Sequence, residues 1–231
     1  MNSAAPLRII ALLLVGGLFT LPVESAQNAS AKADAPDLSG VYQAVPDGVT
    51  LPGGLRNSGG PADVPLLPAA VERSKTADLE QDPAKMCQPI GPFRMMARDR
   101  VKFELVPVLA RGIVVLLFED VSRGHMRTVV LDRARSIEVT PTWHGHSIGR
   151  WEGGALVVET VAFNERTWLN DAGALHSDAL KLVERIRPVG GGRYLEYKVT
   201  AADPAVLVRP YTYTRYFERL TTEILEDVCE E

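Results

Sequence analysis

Val101-Lys102-Phe103-Glu104-Leu105-Val106 alternates apolar with charged side chains, and Ile113 to Glu119 follows as a short, nearly continuous apolar run. Period-two alternation loads one face of an extended chain, and a bounded apolar run of this length suits a buried strand. The reading extends in both directions. Met126 to Leu131 is another apolar run, and Ser147 to Trp151 and Ala155 to Ala162 flank Glu152-Gly153-Gly154, a hairpin loop in which glycine supplies positive φ. Leu180, Leu182, Val183 and Ile186 lead through Gly190-Gly191-Gly192 to Tyr194–Thr200, and Tyr211 to Leu220 completes the series. Upstream, Leu38-Ser39-Gly40-Val41-Tyr42 is the first segment with strand character.

About eight to ten short strands with almost no helical periodicity predict a mainly β protein. The expected architecture is an antiparallel barrel, lipocalin-like or similar, because closure removes exposed edges; a β-sandwich is the alternative. A barrel of about eight strands is wide enough to hold one small ligand. One short helix is predicted between Pro68 and Leu79, where Pro68 suits a first helical turn. Pro46 to Pro65 carries Pro52-Gly53-Gly54 and Ser58-Gly59-Gly60-Pro61, too dense in breakers for a helix or a central strand.

The chain has 231 residues and a formal net charge of −4, with 46% hydrophobic and 23% charged residues. That composition is globular, and it excludes a nucleic-acid partner as the leading idea, since phosphate recognition needs local cation excess. At the N-terminus Arg8 precedes an apolar run from Ile9 to Phe19, then Pro22 and small residues. About 11 apolar residues are too few to span a bilayer, which takes roughly 20, so the segment reads as a secretory signal cleaved after Ser25, Ala26 or Ala31. No membrane span is expected after cleavage. The expected organisation is a signal peptide at 1–26, a flexible Gly/Pro-rich arm at 27–66 and a single β-rich domain at 67–231, located in the periplasm or secreted. Export permits a disulfide between Cys87 and Cys229, which in the chain-entropy model stabilises by about 5 kcal/mol.

Two groups of residues carry candidate chemistry. Phe163 to Arg185 brings Trp168, Asp171, His176, Glu184 and Arg185 into one region. A histidine beside a carboxylate has the proton affinity for general acid or base work near neutrality. His176 is therefore the expected proton-transfer group, Asp171 its orienting partner and Glu184 a second acid or base. In the series Leu180, Leu182, Glu184, Ile186 the glutamate shares an apolar face, with Arg94, Arg98, Arg100, Arg123 and Arg127 as available ion-pair partners. Trp143, His146, Phe163, Trp168, Arg185 and Tyr211 are the expected substrate-binding residues. The second group is Trp143-His144-Gly145-His146-Ser147. Its histidines lack a third metal ligand at a recognised spacing, so no metal and no cofactor is expected. Gly145-His146-Ser147-Ile148-Gly149 matches the nucleophile-elbow pattern in writing, but a strand and hairpin follow where a helix is required, which demotes Ser147.

At these residues the chain resembles a large group of exported bacterial proteins without an established activity. The shared pattern is Leu38-Ser39-Gly40-Val41, Asp82-Pro83 before Cys87, Trp143-x-Gly145-x-Ser147-x-Gly149, Leu156-Val157-Val158-x-Thr160, Thr167-Trp168-Leu169 to His176-Ser177, Glu184-Arg185, Asp203-Pro204 and the terminal Cys229. An aromatic residue at the place of His144 or His146 in that group argues further against a metal.

The leading expectation is a cofactor-independent acid–base lyase or isomerase acting on an apolar or aromatic small molecule. The alternative is a lipocalin-like periplasmic carrier for a hydrophobic ligand. An envelope-structural or partner-binding role comes third. Oligomerisation is compatible with the sequence. Both small-molecule readings presuppose a hollow, water-poor interior.

Overall fold

The computed structural model describes residues 35–119, 126–133 and 139–225. The alternating stretches form β1 Gly40–Ala44, β2 Lys102–Val108, β3 Ile113–Phe118, β4 Met126–Leu131, β5 His146–Glu152, β6 Ala155–Val161, β7 Lys181–Val189, β8 Tyr194–Ala202 and β9 Tyr211–Leu220. Each pairs with the next and β1 pairs with β9, so the nine strands close into a barrel. β1 lies inside the 27–66 stretch, so the barrel begins before residue 67.

One pairing departs from the expected antiparallel pattern. β4 and β5 run parallel, with Val129 opposite Ser147 and Leu131 opposite Gly149. A parallel pair needs a crossover of a dozen or more residues, and the 132–145 connection has that length. Gly149 lets the two strands approach closely, since a Cβ there would stand 2.7 Å from Val129 Cγ1 and 3.1 Å from Leu156 Cδ1. The seam between β4 and β5 is therefore the short and irregular part of the wall.

The expected helix is α1, Pro68–Lys75, with proline in its first turn. A second, single-turn helix, α2 Pro92–Met95, was not expected because one turn leaves no periodicity to read. All four of its residues are buried. The Tyr213 hydroxyl donates to the Phe93 carbonyl, tying α2 to β9.

The expected hollow centre is replaced by packed side chains. Phe103 and Phe217 meet edge to face at 5.1 Å, Phe93 and Tyr213 at 5.1 Å, and Tyr197 lies 6.2 Å from Phe217. Met95, Met96, Leu105, Leu116 and Val199 join the same core. Buried aromatics contribute beyond their apolar area when they meet in these geometries.

The Gly/Pro-rich stretch is tied to the barrel. Ser58 and Thr214 exchange backbone hydrogen bonds of 3.0 and 2.9 Å, Val208 N–H donates to Pro65 O at 2.8 Å, and Arg215 donates to the Gly59 carbonyl at 2.7 Å. Among the described residues no helix is long and apolar enough to cross a membrane. Cys87 is not a free thiol. Its expected partner Cys229, like the signal segment, lies outside the described residues.

Candidate functional site

Alternation decides which residues of the second half enter the barrel. On β4 the inward positions are Arg127, Val129 and Leu131; on β7 they are Leu182, Glu184 and Ile186. Arg127 and Glu184 are both buried. Arg127 Nη1 donates to Glu184 Oε1 at 2.7 Å, and Nη2 donates to Oε2 at shorter range. Between them lie β5 and β6, which contribute Ser147 and Thr160. Arg127 Nε and Nη2 donate to Ser147 Oγ at 3.1 and 2.9 Å, and Nη2 donates to Thr160 Oγ1 at 2.7 Å. Thr160 Oγ1 donates to Glu184 Oε2 at 3.2 Å, and the Tyr197 hydroxyl donates to Oε1 at 2.8 Å. Burial, followed by the Glu184 charge, pushes the Tyr197 phenol well above its ordinary value, so it remains a donor. Burying two charges is costly unless they are paired and hydrogen-bonded, and this network meets both conditions.

A cavity of about 440 Å³ lies at the β4–β5 seam, next to this network. Its walls include Met126, Val130 and Ile148 on the strands and Val139 and Thr142 on the crossover segment. His144 and His146 also line it and the exposed Arg133 stands at its rim, whereas the Arg127 and Ser147 side chains are buried on the inner face of the wall. His144 occupies a turn, in which Gly145 N–H donates to Thr142 O at 3.2 Å. Gly145 has φ +64, and a Cβ there would stand 2.7 Å from the Val161 carbonyl oxygen, so glycine is required. The turn buries both imidazole nitrogens of His144, and neither has a hydrogen-bond partner among the described residues. Burial, reinforced by the neighbouring Arg127 charge, holds the His144 pKa down to about 4. The ring is neutral near pH 7. His146 Nε2 instead lies 2.7 Å from the Thr140 carbonyl oxygen.

The three residues expected to act together occupy three different settings. His176 is buried, with Nε2 2.8 Å from Thr167 Oγ1, Nδ1 2.8 Å from the Ser177 carbonyl and Phe163 edge-on at 5.8 Å. Burial pushes its pKa down against the Ser177 carbonyl and the charges of Asp203 and Glu165. Asp171 does not orient it. Its side chain is 69% exposed and accepts from Arg94 Nε at 2.5 Å and Arg98 Nη1 at 3.2 Å. Glu184 is committed to Arg127. The sequence places Asp171 and His176 five residues apart, but the loop between them turns their side chains to different partners.

Of the expected substrate-binding residues, His146 lines the seam cavity. Phe163 is in the core, and Trp168 is buried with the Arg94 guanidinium 5.9 Å from its ring. Trp143 sits under Arg166 at 5.8 Å. Arg185 points outward and donates to the Glu152 carbonyl at 3.2 Å. The Tyr211 hydroxyl accepts from Gly60 N–H at 3.1 Å. They do not form one pocket. Arg127, named above as one of five possible partners of Glu184, is the correct one; its inward position follows from sharing a parity with Val129 and Leu131. Ser147 is buried within β5 as an acceptor for Arg127, consistent with its demotion as a nucleophile. Thr160 and Tyr197 were missed, since nothing local marks a threonine or tyrosine as a ligand of a distant carboxylate. Among the described residues no group of three or more His, Cys, Asp or Glu side chains could hold a metal ion.

No family model and no curated protein matches the chain. Among solved structures it is similar to Echinococcus granulosus fatty-acid-binding protein 1, at 12% identity and a TM-score of 0.40, over 80% of this chain and 98% of that chain. The barrel is defined by the strand pairing itself.

Proposed function

We propose that the protein binds a small, largely apolar molecule in the cavity at the β4–β5 seam. The observation that carries this reading is the cavity: about 440 Å³, walled by Met126, Val130, Val139 and Ile148, with Thr128, Thr142 and His146 among its polar lining residues. Volume and lining match what small-molecule sites require, namely apolar walls for affinity and a few placed polar groups for orientation. The lyase or isomerase reading loses its support because His176 and Asp171 do not meet, and the binding alternative moves from the barrel centre to the seam.

The test is a fluorescence titration of the full chain with naphthalene. Saturable binding is expected, and Ile148→Trp, which fills the cavity from β5, is expected to abolish it. Binding that ignores this substitution would place the ligand elsewhere. The proposal further takes the protein to be exported, on the strength of Arg8 and the apolar run Ile9–Phe19, and Cys87 to be paired with Cys229. N-terminal sequencing of the mature chain, and alkylation with and without prior reduction, test those two points.

A further inference from the structure

The connection between β6 and β7 folds back on itself over α2. Trp168 and Leu175 pair across it, Leu169 N–H donates to the Ala174 carbonyl at 2.6 Å, and Asn170 Oδ1 accepts from the Ala172 and Ala174 N–H groups at 3.1 Å each. Residues 167–176 are thus a small hairpin, and it meets α2 at both ends. At its base Thr167 packs on Gly91, the residue before α2, where a Cβ would stand 3.1 Å from Thr167 Oγ1. At its tip Asp171 accepts from Arg94 Nε at 2.5 Å and from Arg98 Nη1 at 3.2 Å. Just past the base, Asp203 fixes Ser177 by accepting from its N–H at 2.7 Å and its hydroxyl at 2.8 Å.

His176 closes the base. The Ser177 carbonyl can only accept, so Nδ1 carries the ring proton; Nε2, 2.8 Å from Thr167 Oγ1, then accepts from that hydroxyl. Among the described residues Nε2 is the hydroxyl's one hydrogen-bond partner. A second proton on the ring turns Nε2 into a donor, and Thr167 must give up its own bond to accept from it. The result is a buried charge and a buried hydroxyl proton without an acceptor, both of them costly. The charges that bear on the ring are Asp203, from the β8–β9 connection, and Glu165, from its own loop; both favour the protonated ring, and burial outweighs them. The α2 cation Arg94 is turned to Asp82 and Asp171 instead.

We infer that the 167–176 hairpin is an acid-released latch over α2, held shut by the bond between neutral His176 and Thr167 and lifted when the imidazole takes up a second proton. Ser177, anchored by Asp203, is the fixed side of the hinge. Lifting separates Thr167 from Gly91 and Asp171 from Arg94, whereas Arg94 keeps its buried partner Asp82 and α2 keeps its ion pair. The latch is independent of the seam cavity and of what binds there.

Hydrogen–deuterium exchange of the full chain tests the latch, read by mass spectrometry on the 167–176 segment and corrected for the pH dependence of the intrinsic exchange rate. Between pH 7 and pH 5 the opening constant of this segment is expected to rise severalfold, with a ceiling of about 25-fold set by the ordinary histidine value, while β8 keeps its protection. In His176→Gln, which has no proton to take up, the rise is expected to vanish. In Asp171→Asn it is expected to persist, because the ion pair at the tip is not the sensor. A rise below about twofold in the parent protein, a rise that survives in His176→Gln, or one that Asp171→Asn abolishes overturns the latch. Should His176→Gln not fold, the parent protein and Asp171→Asn decide by the same criteria. An equal loss of protection in β8 would mean global unfolding in place of a local release, and it too overturns the latch.

Discussion

Arg127 on β4 and Glu184 on β7 form a bidentate ion pair inside the barrel wall, 57 residues apart in sequence and with two strands between them. Their burial makes the pair an all-or-none element. Removing Glu184 leaves a guanidinium with no counter-charge in a site that water does not reach. Glu184→Leu is expected to destabilise by about 3–5 kcal/mol, whereas Arg127→Met combined with Glu184→Leu recovers much of that loss because neither charge is left alone. Urea denaturation of the two single variants and the double variant measures the coupling. Additive losses would mean that the two side chains do not depend on each other.

His144 makes stability depend on pH in a defined direction. Its pKa is held down to about 4 by burial and by Arg127, against an ordinary 6.5. Between those values the unfolded chain binds a proton that the folded one does not, so stability rises with pH across this window and levels off above it. Acidification from pH 6.5 to 4 is expected to cost up to about 3 kcal/mol through this residue. His176, also pushed down by burial, contributes in the same direction. His144→Phe should flatten the curve in part, and should raise stability at pH 7 by about 1 kcal/mol by removing two unpaired buried nitrogens. Thermal unfolding at stepped pH values tests both statements.

Gly145 positions His144, so a side chain there should disturb fold and binding together. Its φ of +64 and the Val161 carbonyl oxygen 2.7 Å from a Cβ position leave no room for alanine. Gly145→Ala is expected to cost about 1–3 kcal/mol and to weaken naphthalene binding at the seam. Urea denaturation and the naphthalene titration measure the two effects; unchanged stability would show that the turn tolerates a side chain.

Asp82 and Asp171 both pair with Arg94, but only one of them is buried. The Asp82 side chain is 10% exposed and Asp171 is 69% exposed. Although burial works against its charge, the hydrogen bonds and charge of Arg94 hold the Asp82 carboxyl below its ordinary value. Its contribution is therefore present at neutral pH and lost as pH falls through that lowered value. Asp82→Asn is expected to cost about 2–4 kcal/mol and Asp171→Asn less than about 1 kcal/mol. A large loss at Asp171 would restore it as a principal residue of the loop.

The strands were legible because alternation is local: Val101 to Val106 and Leu180 to Ile186 reveal their buried faces without knowledge of their neighbours. The inward position of Glu184 followed from the same reading. The pairing of His176 with Asp171 did not survive, because proximity along a loop says little about direction. Phe163, Thr167 and Ser177 surround the imidazole, while the Arg94 and Arg98 side chains take the carboxylate. The two histidines at 144 and 146 were legible as a pair but not in their roles, since the turn ending at Gly145 places them in different environments.

By itself the sequence determined that the chain is a β protein of short strands, which residues share the apolar face of the 101–106 and 180–186 stretches, and that one residue of such a face is the carboxylate Glu184. Tertiary structure alone decided that β4 and β5 run parallel, that α2 and aromatic rings fill the centre, and that the cavity sits at the seam. The reason lies in range. Alternation and turn chemistry act over a few residues, whereas closure and register bring Arg127, Ser147, Thr160, Glu184 and Tyr197 together from five strands, a relation that no short stretch of the chain contains.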